Sequence, residues 1–262
     1  MTMAYKLIWL ADVLRAAGLN VVEVAGWETR GRAEMGTVKG VLLHHTAGGA
    51  KGDAPSLELV TKGRKDLAGP LSQLVLGRSG TFYVVAAGRC NHAGEGSWHG
   101  VTAGNSELIG IEAENMGTVK DPWPVAQMIA YEKGVAAILR HIGADAVMAA
   151  GHKEYATPRG RKIDPSFDVF QFRENVRGWM LDPESGDPAA MSPDPTPSVL
   201  SMLRLGDQGA SVTKLQAALG MLQQDGAFGP VTDAMVRAFQ ARNGLDVDGK
   251  VGPATWKALG IG

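Results

Sequence analysis

The sequence is poor in cysteine, with Cys90 alone among 262 residues. No disulfide can form within the chain, so a secreted disulfide-stapled scaffold is excluded and synthesis in a reducing cytoplasm fits best. The chain also lacks any run of five or more Lys and Arg, and its formal net charge is −1. This charge offers no electrostatic basis for binding nucleic acid, so no nucleic-acid partner is predicted.

Long apolar runs are missing as well. No segment reaches the roughly 18 apolar residues that a membrane-spanning helix needs, so no membrane insertion is predicted. Asp12 and Arg15 interrupt the apolar core that a secretory signal peptide would have. Four aliphatic residues recur instead with the spacing of an amphipathic helix that ends at Gly18: Leu7, Leu10, Val13 and Leu14. The protein is therefore expected to be made in a cytoplasm without a signal peptide, and to need another route to any target outside.

Proline is concentrated between residues 182 and 198, among Ser, Asp, Gly and Ala. The prolines of this stretch are Pro183, Pro188, Pro193, Pro195 and Pro197. Such a stretch buries too little apolar surface to fold, which predicts a semi-extended spacer. The chain is therefore predicted to consist of a domain at 1–181, a Pro-rich linker at 182–198 and a second domain at 199–262.

Strand-like and helical patterns alternate before the spacer. Short apolar runs predict strands at residues 40–44, 82–86, 108–112 and 146–150. Residues 126–142 carry apolar side chains at helical spacing and are followed by Gly143, which predicts a helix that ends there. This alternation is typical of an α/β domain, here with a central mixed sheet flanked by helices.

A short repeat marks the region after the spacer. Residues 225–232 recur at 248–255 with identical Asp, Gly, Gly, Pro and Thr, and each copy follows a helical segment that carries Gln216 or Gln240. The Gly-Pro step suits a helix start, because proline at the first helical position loses no hydrogen bond. The predicted core positions are Val212, Leu215, Leu219, Met235, Val236 and Phe239. The pattern predicts a small all-α domain of three helices.

Histidine is the residue type that most directly suggests metal chemistry, and six are present. A catalytic zinc site takes three protein ligands, commonly imidazoles and a carboxylate, with one position left for water. His141 lies in the last turn of the predicted helix, where the helix dipole favours a cation, and no metal role is assigned to it. His44 and His45 end the first predicted strand on opposite faces, so they do not serve one metal together, and the pattern leaves the choice open.

A second group of polar residues lies between His152 and Pro165. His152 leaves a predicted buried strand and enters a loop shaped by proline and glycine. Lys162 and Asp164 are two residues apart, so an extended backbone directs both side chains to one side. Together they could supply a metal ligand and a cation that stabilises an anion. The alternative is a salt-bridged surface loop, and the spacing alone does not decide between the two.

Two carboxylates share one face of the third predicted strand. Alternation places Glu112 and Glu114 opposite the apolar residues of the strand. A solvated sheet face is the more common explanation of such a pair. A strand carboxylate beside the small Gly110 also suits a general base at the floor of a groove.

Taken together, these segments resemble the type 2 N-acetylmuramoyl-L-alanine amidases, which are related in fold to the peptidoglycan recognition proteins. The matching segments follow the order of that family: 43–47, 91–94, 109–114, 151–152 and 162–165. The resemblance implies that zinc is bound by His44, His152 and Asp164, and it selects His44 over its neighbour. It further implies that Glu112 is the general base and Lys162 the electrostatic stabiliser, for cleavage of the amide between N-acetylmuramic acid and L-alanine.

The resemblance also suggests side chains that contact the substrate. His92, Trp98 and Asn115 are the predicted substrate-binding residues. Many relatives have Trp where this chain has Asn91, and Trp98 is the predicted substitute. His92 either lines the groove or holds a loop. Some relatives have a tyrosine near the metal, but the matching position here is Ser72, so a tyrosine-assisted route is not expected.

The second domain resembles the common peptidoglycan-binding module, on the repeated Asp-Gly-x-x-Gly-Pro-x-Thr motif and Trp256. The two resemblances indicate one polymer, bacterial peptidoglycan, as the partner and Zn²⁺ as the cofactor. The domain pair, the single cysteine and the missing signal peptide suggest a phage endolysin. Such a protein would reach the cell wall from the host cytoplasm through holin pores. The alternatives are a non-catalytic peptidoglycan sensor and a bacterial autolysin.

Overall fold

The computed structural model describes residues 5–49, 51–183, 202–221 and 224–260. The chain divides into two compact units, Met1–Met191 and Ser192–Gly262. Residues 184–198 of the predicted spacer lie outside the described residues, so the linker stays a prediction.

A mixed sheet organises the first unit. The strands of the described residues are β1 (Val21–Glu23), β2 (Gly40–His45), β3 (Gly63–Arg64), β4 (Leu67–Ala68), β5 (Leu74–Leu76), β6 (Phe82–Val84), β7 (Leu108–Ala113) and β8 (Ala149–Gly151). Six of them form one sheet in the order β1-β6-β5-β7-β2-β8, while β3 pairs with β4 in a separate antiparallel ribbon. Within the large sheet β5 and β6 run antiparallel, and the other neighbours are parallel. The predicted mixed sheet is confirmed, and β7, β2 and β8 end at the same edge.

The α-helices described in the first unit are α1 (Leu10–Ala16), α2 (Leu57–Lys62), α3 (Gly104–Glu107), α4 (Val125–Ile142), α5 (His152–Tyr155) and α6 (Val169–Leu181). The helix predicted at 126–142 is confirmed by α4, and Gly143 follows it in the left-handed conformation (φ 68°). The helices α1, α4 and α6 share the main core with one face of the sheet, around residues such as Leu43, Ile111 and Leu139. Their apolar side chains recur at helical spacing, so each helix turns one face to the sheet.

The N-terminal segment belongs to the folded domain. It starts as a 3₁₀ turn at Lys6–Trp9, which leads into α1. The buried aliphatic residues of this segment are Leu7, Leu10 and Leu14, and all three contribute to the main core. Among the described residues, no helix combines the length and the apolar character needed to cross a membrane.

The strand predicted at 146–150 is only partly correct. Residues Ala146–Met148 form a 3₁₀ turn, because the carboxylate of Asp145 accepts a hydrogen bond from Val147 N–H (2.8 Å) and caps it. β8 therefore begins three residues later than predicted, at Ala149. His152, the residue that follows β8, therefore lies at the edge of the sheet where β2 and β7 also end.

The described part of the second unit contains the helices α7 (Ala210–Ala218), α8 (Pro230–Arg242) and α9 (Pro253–Ala258). The helical second domain is thus confirmed, and the proline of each repeat stands in the first turn of a helix. The buried core includes Leu203, Val212, Leu215, Phe228, Val236, Val251 and Trp256. The prediction of Met235 as a core residue is wrong, because α8 turns this side chain outward and leaves it 37% exposed.

Two buried glutamines explain the repeat. Gln240 Nε2 donates to Asp248 Oδ1 (3.0 Å) and to the Lys250 carbonyl oxygen (2.8 Å), while its Oε1 accepts from Gly249 N–H (3.0 Å). Gln216 makes the equivalent contacts in the first copy. Each copy is therefore a turn whose polar groups are satisfied by a buried carboxamide.

Candidate active site

Three side chains from separate parts of the chain meet at the carboxyl ends of β2 and β8. His44 lies near the end of β2, His152 follows β8 as the first residue of α5, and Asp164 lies in the loop after α5. Asp164 Oδ2 lies 3.0 Å from Nδ1 of His44 and 3.0 Å from Nδ1 of His152. Ligands of open α/β sheets bind outside this end of the parallel strands, so the topology itself places the cluster.

The turn around α5 is braced on both sides. The backbone N–H of Lys153 donates to the carbonyl oxygen of Asp164 (2.6 Å), which fixes the loop against α5. The carboxylate of Glu154 accepts from Gly151 N–H (2.9 Å) and forms an ion pair with Arg173 of α6 (2.8 Å). The two candidate ligands from this region therefore share one well-supported turn.

The hydrogen-bonding environment of His152 favours a cation in the cluster. Its Nε2 lies 2.9 Å from the Ala93 carbonyl oxygen, and its Nδ1 lies 3.0 Å from Asp164 Oδ2. Both neighbours are acceptors, whereas a neutral imidazole carries one N–H. When that proton serves Ala93, the Nδ1 lone pair faces a carboxylate oxygen. The contact then needs either a second proton on the ring or a metal ion between the two atoms.

The donor set and its spacing fit zinc. Two imidazole nitrogens and one carboxylate oxygen are ligand types of catalytic zinc sites. With metal–ligand bonds of about 2.0–2.1 Å, tetrahedral ligand atoms lie roughly 3.3 Å apart. The two nitrogen–oxygen distances here are both 3.0 Å, and all three atoms lie within 4.8 Å of one another. The structure thus brings together His44, His152 and Asp164, the three predicted ligands.

Burial and neighbouring charges set the protonation of these groups. Burial opposes ionisation of Asp164, but hydrogen bonds from His152 and His44 outweigh it and hold the pKa of this carboxyl well below its usual range. Burial, reinforced by the nearby His152, lowers the pKa of His44 to about 4, although Asp164 opposes the shift. Near neutral pH the cluster therefore offers a carboxylate and a neutral imidazole at His44, the forms that bind a metal.

Glu112 stands next to His44, because the two residues are register partners on the parallel strands β7 and β2. Its Oε1 lies 4.0 Å from His44 Nδ1, and its Oε2 is buried without a hydrogen-bond partner among the described residues. Burial, reinforced by the charge of Asp164, raises the pKa of Glu112 to about 8. A carboxyl group with free acceptor capacity and such a pKa can take up and return a proton near neutral pH.

Lys162 contributes a positive charge to the electrostatics of the site. The side chain is half-buried, two residues before Asp164. Its charge lies close enough to Glu112 and His44 to lower the pKa of both groups. Within the part of the chain that the structure describes, no carboxylate forms an ion pair with it. Its ammonium group therefore remains available to a developing negative charge.

His45 and Glu114, which lie close to His44 and Glu112 along the chain, make structural contacts instead. His45 Nδ1 accepts a hydrogen bond from Ser166 N–H (3.2 Å). Glu114 is fully buried, and its carboxylate accepts from Ser56 N–H (2.6 Å) and Thr46 Oγ1 (2.8 Å). The explanation of the two strand glutamates as a solvated face is therefore wrong, because Glu114 fastens the loop that follows β2.

The three predicted substrate contacts lie in different environments. His92 is 9% exposed, and its Nδ1 lies 3.2 Å from His44 Nε2. Trp98 donates its indole N–H to the Val147 carbonyl oxygen (2.8 Å). Asn115 is fully buried, and its carboxamide bonds to the backbone of the loop after β7. Substrate contact by these residues stays a prediction, and the surroundings of His92 favour its alternative role of holding local structure.

Two supporting residues were not predicted for the site. Tyr131 of α4 reaches the end of β2, where its hydroxyl accepts from His44 N–H (3.2 Å). Asn105 of α3 accepts hydrogen bonds from the backbone N–H groups of His92 and Ala93, both at 2.8 Å. The sequence signal for Tyr131 is the presence of a tyrosine on an otherwise apolar helix face. No spacing rule indicates the second, because its contacts depend on the path of a loop.

Comparison with known proteins covers both units. The N-acetylmuramoyl-L-alanine amidase family matches residues 34–167, and a peptidoglycan binding domain matches residues 208–259. The N-acetylmuramoyl-L-alanine amidase CwlM of Mycobacterium tuberculosis is 43% identical over 72 residues, which cover 22% of this chain and 18% of that protein. The chain thus spans about a fifth of the curated relative that it matches.

Solved structures of an endolysin and of an amidase are also similar to this chain. A Burkholderia AP3 phage endolysin is 46% identical over 22% of this chain and 24% of its own, with a TM-score of 0.22. The amidase AmiD from E. coli, solved with anhydro-N-acetylmuramic acid-L-Ala-D-gamma-Glu-L-Lys, is 20% identical over 92% of this chain and 95% of its own, with a TM-score of 0.43. The family match at 34–167 takes in more than half of the chain, including β2, β7, β8 and every residue of the histidine–aspartate cluster. The chain belongs to the N-acetylmuramoyl-L-alanine amidase family.

Proposed function

We propose that this chain is a zinc-dependent peptidoglycan amidase that hydrolyses the amide between the lactyl group of N-acetylmuramic acid and L-alanine of the stem peptide. The observation that carries the proposal is the convergence of His44, His152 and Asp164 beside an unpartnered carboxyl oxygen of Glu112. Membership of the amidase family supports the choice of bond.

The two imidazoles and the carboxylate would hold the ion. Zinc, when bound there, would polarise the scissile carbonyl and acidify water at the site. The braced turn around α5 holds His152 and Asp164, and the end of β2 holds His44, so strand pairing and backbone hydrogen bonds hold all three ligands in place. Rigid ligands keep the ion and the acid–base group in a fixed relation.

Glu112 is assigned the proton transfers. Its carboxylate takes a proton from the attacking water and then delivers it to the amide nitrogen of the leaving L-alanine, so one group serves as base and acid in turn. Lys162 is assigned the developing negative charge on the carbonyl oxygen. Removing a stabilising donor of this kind typically costs about 3–4 kcal/mol of transition-state stabilisation.

The second unit is assigned to binding the polymer. The match to a peptidoglycan binding domain at 208–259 supports this assignment. A tethered binding domain raises the local concentration of the catalytic unit at an insoluble substrate. Both units would then act on bacterial peptidoglycan, the proposed partner.

The biological role that fits this pair of domains is host lysis by an endolysin made in the cytoplasm and released through holin pores. With Cys90 as its single cysteine, the chain needs no oxidising compartment to form an internal disulfide. Expression in a bacterial cytoplasm, with and without a co-expressed holin, tests the role. Lysis that depends on the holin supports it, whereas lysis without the pore favours an exported autolysin.

The proposed bond is tested by mass spectrometry of peptidoglycan digests. Wild-type protein is expected to release free stem peptides and leave the glycan strands intact. Shortened glycans or cut stem peptides would refute the amidase, and wall binding without any release would favour a sensor. The variant His152→Ala is expected to lose both zinc and activity. The matched control is His141→Ala, which removes an exposed imidazole that stacks on Trp9, outside the cluster.

A further inference from the structure

Asn105 links one short backbone segment to both candidate metal-binding imidazoles. Its Oδ1 accepts hydrogen bonds from two consecutive backbone N–H groups, those of His92 and Ala93, at 2.8 Å each. An amide oxygen has two lone pairs, so this single atom satisfies both donors. The segment 92–93 is therefore fixed by one side chain.

The segment 92–93 supplies the second contact of each imidazole. His92 Nδ1 lies 3.2 Å from His44 Nε2, and the Ala93 carbonyl oxygen lies 2.9 Å from His152 Nε2. These contacts are made by the ring nitrogens that do not face the carboxylate of the cluster. Outer contacts of this kind determine the rotation of a ligand ring and which of its nitrogens carries the proton.

The surroundings leave the segment little freedom. A Cβ added at Gly110 would lie 2.8 Å from the ring of His92, so this ring packs directly on β7. The helix α3, which carries the asparagine, is anchored in turn, because Gly104 N–H donates to the Tyr155 hydroxyl (3.0 Å). Tyr155 ends α5, the helix that begins with His152. The asparagine and one of the rings that it supports are thus parts of one connected unit.

We propose that Asn105 is a positioning residue for metal binding, which acts through the segment 92–93 on the imidazoles of His44 and His152. The proposal rests on the zinc-dependent function proposed above. The Ala93 carbonyl oxygen can only accept, so it favours the His152 tautomer with the proton on Nε2 and the lone pair on Nδ1, the atom that faces Asp164. The contact with His92 holds the rotation of the His44 ring. Loss of a direct outer partner typically weakens metal affinity about 10- to 100-fold, and Asn105 acts one contact further out, so the lower end of this range is expected.

The test measures zinc affinity of the full chain by competition with a chelator, and the visible spectrum of the Co²⁺-loaded protein as a readout of ligand geometry. Asn105→Ala is expected to weaken zinc binding about 10-fold and to change the cobalt spectrum. Asn105→Asp keeps an acceptor oxygen in place and is expected to bind zinc much like wild type. The control is Asn175→Ala, which also removes a carboxamide with two hydrogen bonds, to Glu132 (2.8 Å) and Gln171 (2.9 Å), but on α6.

Unfolding of the metal-free proteins separates positioning from a general loss of stability. Asn105→Ala is expected to unfold at a denaturant concentration similar to that of Asn175→Ala, which keeps its zinc affinity. The positioning role is overturned if Asn105→Ala binds zinc as tightly as wild type, or if Asn105→Asp loses as much affinity as the alanine variant. A wild-type chain that binds no zinc contradicts the proposed function and this role together. If wild type binds zinc and Asn105→Ala binds it equally tightly, this role alone is contradicted.

Discussion

His44 and Glu112 face each other across the parallel strands β2 and β7, with His44 Nδ1 4.0 Å from Glu112 Oε1. Strand register, not a loop, sets this distance. Because side chains alternate between the two faces of a sheet, a shift of one residue would turn Glu112 into the core and bring the apolar Ile111 or Ala113 to the site. The distance between the candidate ligand His44 and the candidate base Glu112 is therefore set by the pairing of the two strands.

Replacement of Glu112 by glutamine is expected to separate metal binding from proton transfer. Glu112→Gln should lower kcat by about 10²–10⁴-fold, because an amide cannot accept the proton, while zinc content stays at the wild-type value. Kinetics on a soluble muropeptide and metal analysis measure the two effects. The same change at an exposed carboxylate, Glu58→Gln, is the control. A Glu112→Gln protein that keeps most of its rate contradicts the assignment.

Removal of the charge at Lys162 is expected to affect the transition state more than substrate binding. Lys162→Met should lower kcat by about 10²–10³-fold, since one stabilising group for the oxyanion is lost. Lys162→Arg retains the charge and should keep more of the rate. Steady-state kinetics distinguish the possibilities, because a side chain that only binds substrate raises KM and leaves kcat unchanged. That second pattern would argue against the proposed role.

The stability of the zinc-free protein is expected to fall as pH rises, because of Glu112. Burial raises the pKa of this group to about 8 in the folded chain, whereas an unfolded glutamate has a pKa of about 4.3. The folded state holds the proton more tightly, so the associated stability is complete below about pH 4 and is lost as pH rises through about 8. The pKa of His44 is about 4, so this group does not change its protonation in the upper part of this pH window.

Urea unfolding of the metal-free protein at about pH 6 and about pH 9 measures this dependence. The loss of stability at the higher pH should be larger in wild type than in Glu112→Gln, whose side chain is neutral throughout. Equal losses in the two proteins would show that Glu112 ionises in the folded chain as it does in solution.

The sequence was most informative where local periodicity determines the structure. Strand alternation separated His44 from His45, and helical spacing followed by Gly143 located α4 to within a residue. The choice of His44 as the ligand needed the family resemblance, because both histidines lie at the end of the same strand. The carboxylate of Asp145 caps a 3₁₀ turn, so β8 starts later than strand propensity alone predicts.

The supporting contacts were beyond sequence reasoning for a physical reason. The Ala93 carbonyl oxygen that meets His152 is a backbone group, and any residue could supply it. Its position depends on the path of the loop that Asn105 clamps, and loop paths follow from tertiary packing rather than from residue spacing. Glu114 shows the same limit, since its burial depends on the loop that folds over it.

The buried glutamines of the second unit are expected to matter for its folding. Gln240→Ala removes the partners of Gly249 N–H and the Lys250 carbonyl oxygen, and should destabilise the domain by about 1–3 kcal/mol, since those groups then lack hydrogen bonds. Calorimetry of the full chain measures the effect on the corresponding transition. The exposed Gln224→Ala is the control. A loss at Gln240 no larger than that of the control would show that water satisfies the turn.

Removal of the second unit is expected to separate chemistry from targeting. Residues 1–183 contain the whole histidine–aspartate cluster, so they should cleave soluble muropeptides with the kcat of the full chain. Clearing of intact walls should fall by about 10²-fold or more at low enzyme concentration, because the tether no longer raises the local concentration, and the deficit should shrink as enzyme is added. Addition of the second unit as a separate chain should not restore clearing, since the effect requires covalent linkage. Restoration by the separate unit would mean that it alters the wall itself.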